Sequence, residues 1–331
     1  MAGNLSISNS KLLVLVKLTF FLTLLFIADY SIGDILRHFY FTQKSGIART
    51  LTYSIEQSNE DIIIFGSSRA VHHYNPEVFE KTLGMSCFNS GRDGLSILFY
   101  RALEKAILNR YAPKIIILDL PSSELFAEST DYDRLSCLLP YYKTHTELRP
   151  FIEMRGKLER LKLLSRIYPF NGLILSIIKN NIVIDKKIDG FLPLSNIMKP
   201  IESGKKIPPS DLKIDPNKVN ALRDFIKDAV SRGIRLYIII SPVYELDLRA
   251  YDQRSLNMLK EITNEYGVPL WDYTYEPKIV SRAELFSDPG HLNKTGAELF
   301  SEIIANRIKG ELEDNVLEGQ NITKSKGSHI K

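Results

Sequence analysis

Two short stretches near opposite ends of the chain carry residue types that can perform nucleophilic catalysis. Residues 61–75 read DIIIFGSSRAVHHYN, an apolar run that closes on Gly66 and is followed at once by Ser67 and Ser68. A serine just past the carboxyl end of a parallel strand points its hydroxyl into the ligand crevice, and its N–H at the start of the next helical turn can hold an oxyanion. Residues 287–300 read SDPGHLNKTGAELF, with Asp288 and His291 three apart ahead of an amphipathic stretch. That spacing lets a carboxylate hold one imidazole nitrogen while the other acts as a general base. A third stretch, NSGRDGLS at 89–96, has two glycines that let backbone approach a ligand, and Gly94 can donate its N–H to the oxyanion. Taken singly, each has a plainer explanation: helix-capping serines, a surface Asp-x-x-His loop and an ordinary turn.

The elements around these stretches decide between the readings. Residues 61–65 (DIIIF), 115–120 (IIILDL) and 236–240 (LYIII) are short apolar runs of the kind found in strands covered on both faces, and 85–89 and 269–271 are weaker strand candidates. Between them, 96–108, 217–231, 255–266 and 294–308 have helical apolar spacing, for instance Val219, Leu222, Phe225, Ile226 and Ala229 on one stripe. Strands alternating with amphipathic helices define an α/β fold with a mostly parallel sheet. Its carboxyl edge collects the Gly66, Asn89 and Asp288 loops, so three weak signals converge on one place.

The interval 121–213 is too long for a connection and contains helical runs such as 157–168, so it is expected to be an inserted helical cap, with 199–215 as an exposed return path. The domain is expected to span 58–312, followed by a frayed polar tail at 313–331.

The first 36 residues form a separate region. Residues 12–28, LLVLVKLTFFLTLLFIA, carry one charge, Lys17, and would span about 25 Å as a helix. Ile32, Ile35 and Leu36 can extend the span. Lys11 and Lys17 favour a cytoplasmic N-terminus, which Arg37, His38, Lys44 and Arg49 weaken, and no small-x-small site follows Ala28. The expectation is an uncleaved, single-pass signal anchor with the rest of the chain extracytoplasmic, against a buried N-terminal helix of a soluble protein.

Composition closes off other classes. The 44% hydrophobic and 25% charged residues exclude a disordered or multi-span chain. A formal charge of +4 spread over 331 residues is no basis for nucleic-acid binding. Cys87 and Cys137 form neither a zinc ligand set nor a disulfide framework, and are read as two separate small core residues rather than one bridge. No His-Glu-x-x-His or carboxylate cluster suggests a metal, and no cofactor is called for.

On these residues the chain resembles the SGNH/GDSL hydrolase superfamily. The family's strand followed by Gly-Asp-Ser matches FGSS at 65–68, its second block matches NSGRDG at 89–94, and its Asp-x-x-His matches 288–291. The strings GSSRAVHHYNP and DPGHLNKTGAELF resemble a membrane-anchored branch, similar to the teichoic acid D-alanylation protein DltD and to polysaccharide O-acetylation proteins. The resemblance covers about 58–125 and 215–308. It implies a three-layer α/β/α domain with a flavodoxin-like five-stranded sheet, Ser68 as nucleophile, His291 as base, Asp288 as its partner, and Ser68 and Gly94 in the oxyanion hole. It further implies a serine esterase or O-acyltransferase acting on an acylated cell-envelope or exported glycan or other ester, with a membrane-bound acyltransferase as partner.

Two departures stand out. Ser67 replaces the family's Asp, and the Gly-x-Asn-Asp block is replaced by Asp119-Leu120-Pro121-Ser122-Ser123, which leaves the Ser123 hydroxyl as the substitute oxyanion donor. Loss of one such donor costs about 2.7–4 kcal/mol of transition-state stabilisation, so a catalytically weak binding or assembly subunit of an O-acyltransferase system is the alternative. Arg69, His72 and Arg92 are further substrate-binding candidates, and Arg92 and Asp93 adjoin Gly94. The order Ser, Asp, His also fits an α/β-hydrolase, but the nucleophile follows the first strand and lacks the second glycine of Gly-x-Ser-x-Gly.

Overall fold

The computed structural model describes residues 9–185, 189–200, 211–244 and 252–327. They divide into two compact units, Met1–Arg49 with Ser136–Lys186, and Thr50–Leu135 with Lys187–Lys331.

The larger unit is built on strands β1 (Ile62–Phe65), β2 (Cys87–Asn89), β3 (Ile115–Asp119), β4 (Arg235–Ile240) and β5 (Leu270–Asp272). All pairings are parallel and the order is β2-β1-β3-β4-β5, the expected flavodoxin-like arrangement. Strand alternation sends Ile62, Ile64, Ile115, Ile117, Tyr237 and Ile239 to one face, where Phe79, Phe300, Ile304 and Ile308 cover them. Phe65 points to the other face and meets Phe225 edge-on at 5.3 Å. There the helices Ile97–Leu108 and Pro216–Ser231 pack side by side. Burial on both faces explains why β1, the first four residues of β3 and the last five of β4 are runs without polar alternation. A two-stranded antiparallel sheet, β6 (Phe286–Asp288) and β7 (His291–Leu292), forms a hairpin ahead of the last helix.

Several expectations need correction. The stripe on Pro216–Ser231 runs through Lys218, Ala221, Leu222, Phe225, Ile226 and Ala229, so Lys218 rather than Val219 faces inward at the helix start. The last helix is continuous from Lys294 to Gly327, past the expected start of a frayed tail at 313, because no proline and few β-branched residues interrupt it. The 121–213 insertion is not one cap. Residues 136–186 belong to the smaller unit, whereas 189–200 thread through the larger one as an irregular strap. The strap is tied by backbone bonds from Asn89 to Asp189 (2.9 Å), Leu192 to Val71 (3.0 Å), Lys294 to Leu194 (2.8 Å) and Met198 to Phe286 (2.8 Å). The helix expected at 157–168 is a short turn, Glu159–Lys162, since the flanking segments close in tight turns. Residues 201–210 of the expected return path lie outside the described residues.

In the smaller unit the long helix Asn9–Phe41 exceeds the expected 12–28. Its apolar half is exposed, with Leu13, Val16, Phe20 and Phe26 each more than half accessible, so it is not the buried core helix of a soluble domain. It is long and apolar enough to cross a membrane. Its lower part is gripped by the insertion. Asp29 accepts the Ser165 hydroxyl (2.5 Å) and the Arg166 N–H (2.8 Å), and Tyr40 packs on Tyr141 and Phe170. Neither Cys87, which is buried, nor Cys137, which is half-buried, is in a disulfide.

At the carboxyl end of β1 the chain must turn sharply. Gly66 has φ +148°, and a Cβ there would lie 2.7 Å from the Asp119 carbonyl oxygen and 2.8 Å from the Ala70 Cβ. Gly84 also has a positive φ, +65°, but nothing lies within 4 Å of a Cβ there. Gly66→Ala is therefore expected to lower unfolding free energy by about 1–3 kcal/mol, and Gly84→Ala by about 1 kcal/mol or less, in thermal or denaturant unfolding of the purified full chain. Equal effects would mean that the Gly66 turn is not sterically fixed.

Candidate active site

The β1–Gly66 turn delivers Ser68 as the first residue of the helix Ser68–His73. Its Oγ lies 2.7 Å from His291 Nε2. His291 Nδ1 is 2.9 and 3.0 Å from the two Asp288 oxygens. Asp288 and His291 are paired residues of the β6–β7 hairpin, with Gly290 donating its N–H to Asp288 Oδ1 at 2.8 Å. A carboxylate can only accept, so Nδ1 carries the proton and Nε2 is free to accept from the Ser68 hydroxyl. The Asp288 side chain is 49% exposed, so its Coulombic hold is screened by solvent and its chief effect is to orient the ring.

A second histidine stabilises the hairpin from behind. His73 is fully buried, and its Nε2 accepts the Leu292 N–H at 3.0 Å, one residue beyond His291. That bond places the His73 proton on Nδ1. Burial, reinforced by nearby His291 and Arg69, holds its protonation well below the ordinary histidine range. His73 thus stays neutral beside His291, whose ring centroid is 6.2 Å away. His72 meets His291 edge-on, with ring centroids 5.6 Å apart, and holds the strap, with Nδ1 2.6 Å from the Leu192 carbonyl oxygen.

Beside Ser68 lies a cavity of about 180 Å³ whose lining includes Ser67, Gly94, Ser123, Glu124, Asp131, Arg134 and Lys218. Ser68, Gly94 and Ser123, the three expected oxyanion donors, all border it. Arg134 donates to the Gly94 carbonyl oxygen at 2.5 Å and fixes that peptide. Lys218 is buried and donates to the Glu124 and Phe126 carbonyl oxygens (3.0 and 2.9 Å), with its Nζ 2.6 Å from Asp131 Oδ2. Glu124 accepts the Ile97 N–H at 2.7 Å, and burial pushes its carboxyl up to about 7 against the opposing pull of Lys218.

Below the Ser68 turn, Asp119 is fully buried and accepts from Tyr74 (2.7 Å) and from Ser241. Desolvation raises its pKa, and Arg69, with Nε 3.9 Å from Oδ1, opposes that shift most strongly. Arg69 thus lies within ion-pair range of a buried strand-end carboxylate. Arg92 has a buried guanidinium nitrogen with no acceptor among the described residues. Arg69, His72 and Arg92, the expected substrate contacts, are not among the residues that line this cavity.

Sequence reasoning missed Glu124, Asp131, Arg134 and Lys218. Two signals were present. Glu124 lies five residues beyond Asp119 on the same sheet edge, and Lys218 sits four residues before Leu222, on the buried stripe. Among the described residues, no group of His, Cys, Asp and Glu could hold a metal ion.

No protein-family model and no curated protein matches the chain. Solved structures similar to it include a lipolytic protein of the G-D-S-L family from Desulfitobacterium hafniense DCB-2, with 10% identity and a TM-score of 0.38 over 75% of this chain and 99% of that one. An acylhydrolase from Bacteroides fragilis NCTC 9343 has 10% identity and a TM-score of 0.40 over 81% and 97%. An acetyl xylan esterase, AlAXEase, has 12% identity and a TM-score of 0.37 over 76% and 98%.

The two buried groups titrate with opposite consequences for stability. Glu124 is harder to ionise when folded, so stability falls as pH rises from the unfolded value of 4.5 through about 7, by roughly 3 kcal/mol in all. Glu124→Gln is expected to recover most of that at about pH 8 and little at about pH 4, read from denaturant unfolding of the full chain. His73 is harder to protonate when folded, so stability falls as pH drops below 6.5, and His73→Gln, which keeps an acceptor for Leu292 N–H, is expected to flatten that acid limb. Unchanged pH profiles in either variant would contradict the assignment.

Proposed function

We propose that the chain is a membrane-anchored serine esterase or O-acyltransferase of the SGNH type, acting outside the cytoplasm on an acylated cell-envelope or exported glycan. The observation that carries this reading is the series of contacts from Ser68 Oγ to His291 Nε2 (2.7 Å) and from His291 Nδ1 to Asp288 (2.9 Å). Ser68 Oγ attacks the acyl carbonyl and His291 Nε2 takes its proton. Asp288 holds the ring in the required tautomer and stabilises the imidazolium. The oxyanion is received by the N–H groups of Ser68 and Gly94 and by the Ser123 hydroxyl, all on the cavity wall. His291 returns the proton to the leaving alcohol as the carbonyl re-forms. The acyl-enzyme then passes to water or to a sugar hydroxyl, with His291 again acting as base.

A membrane anchor favours transfer, since it keeps the nucleophile beside a membrane-bound acyltransferase that would supply the acyl group. One observation favours the second reading, a binding or assembly subunit: no Asn follows β3, and a rotatable Ser123 hydroxyl is a poorer donor than a fixed amide.

Release of acetate or of a chromogenic alcohol from short-chain esters by the detergent-solubilised full chain separates the two. The enzyme reading expects turnover that Ser68→Ala and His291→Ala reduce by about 10³-fold or more. It also expects Ser123→Ala to cost about 10²–10³-fold in kcat. Absence of turnover with any ester, or turnover indifferent to Ser68→Ala, favours the subunit.

A further inference from the structure

The smaller unit exposes an apolar surface that its own core does not use. Leu158, Leu161 and Leu164, three apart on successive tight turns, are 61–74% exposed. The helix Ile174–Ile182 buries only Ile177, while Leu175, Ile178 and Ile182 on its opposite side are 55–82% exposed. These two segments together display six large aliphatic side chains, more exposed apolar surface than a soluble domain usually leaves open.

Their position along the long helix indicates what covers them. Ser165 and Arg166, directly after Leu164, are hydrogen-bonded to Asp29, the residue that ends the apolar run at 12–28. Arg166 also lies over the Tyr30 ring at 3.5 Å and pairs with Asp34 at 2.5 Å. The leucine turn is thus fastened where a helix crossing a bilayer leaves the hydrocarbon. Asn181 donates to the Phe39 carbonyl oxygen at 2.8 Å, which fastens the second segment to the same helix. On that helix Ile32, Ile35 and Phe39 continue an exposed apolar stripe beyond Asp29, while Asp29 is bonded to Ser165 and Arg166 and Asp34 pairs with Arg166. Charge completes the pattern. Lys157, Arg160 and Lys162 alternate with the leucines; Arg160 pairs with Glu153 (2.6 Å) and Lys162 with the buried Glu159 (3.2 Å), and both cations stay well exposed. Aliphatic side chains interleaved with exposed cations are the composition of a surface lying in a phospholipid interface.

We propose that the Leu158–Leu164 turns and the Ile174–Ile182 helix lie in the headgroup and upper acyl region of the same bilayer that the Asn9–Phe41 helix crosses, so that this unit docks on anionic phospholipid. The proposal rests on the reading of that helix as a membrane span.

The test uses the full chain in vesicles of phosphatidylcholine with a minority of phosphatidylglycerol, and variants Leu22→Trp, Leu161→Trp and Leu175→Trp. The only native tryptophan, Trp271, is buried and supplies a constant background. Brominated acyl chains quench from the lipid and acrylamide quenches from water. Docking expects Leu161→Trp and Leu175→Trp to show at least half the lipid quenching of Leu22→Trp and to be shielded from acrylamide. If Leu22→Trp is lipid-quenched but the other two respond only to acrylamide, docking is overturned and the span stands. Shielding of the two from both quenchers means that a protein, a second copy or another subunit, covers the patch, which also overturns it. Absence of lipid quenching at Leu22→Trp removes the span and the docking together.

Discussion

A hydrogen bond of 2.7 Å joins a hydroxyl and an imidazole that lie 223 residues apart in the chain, and the larger unit is arranged so that this bond can form. Loop closure over that distance has an entropic cost that the sheet and its covering helices must offset. β1 fixes Ser68 through Gly66, whose turn abuts the Asp119 carbonyl. The final helix packs over β1 and β3 and carries the β6–β7 hairpin ahead of it. His73 then ties the two ends directly, because it lies in the nucleophile's helix and accepts the backbone N–H of the residue after His291. Serine and histidine are therefore held by one rigid scaffold, as preorganised catalysis requires.

Around this bond the structure places several ionisable groups out of water, and they differ in how they are compensated. Lys218 is fully engaged by two carbonyl oxygens and Asp131. Asp119 shares Tyr74, Ser241 and a distant Arg69, and one of its oxygens lacks a hydrogen bond among the described residues. Such incompletely compensated groups cost stability and cluster where a site needs a fixed field. The cavity next to Ser68 is lined by groups of both charges, among them Glu124, Asp131, Arg134 and Lys218.

The legible part of the fold was the part whose burial is two-sided. The runs DIIIF, IIILDL and LYIII mark β1, β3 and β4 because no alternation with polar residues is tolerated there, whereas β2 and β5, three residues each, left weaker traces. Asp288 and His291 were recognisable by spacing, but not as opposed residues of a hairpin, since two-residue strands have no periodicity. On Pro216–Ser231 the stripe was read at Leu222, Phe225, Ile226 and Ala229, but the buried residue at the helix start is Lys218 rather than Val219, because its charge is satisfied by loop carbonyls that only tertiary structure supplies. Arg69 was offered as a ligand contact because nothing local indicates that the strand-end Asp119 needs a cation. The strap at 189–200 has no regular structure and bonds to four distant elements, so no local rule could place it.

The claim at the centre of this account is that Ser68, activated by His291, is the nucleophile, and covalent capture tests it most directly. The full chain treated with a fluorophosphonate and mapped by tandem mass spectrometry is predicted to carry one phosphonyl group on Ser68, with the adduct lost in His291→Ala. An adduct on Ser67 or elsewhere, or equal labelling without the imidazole, would contradict the account.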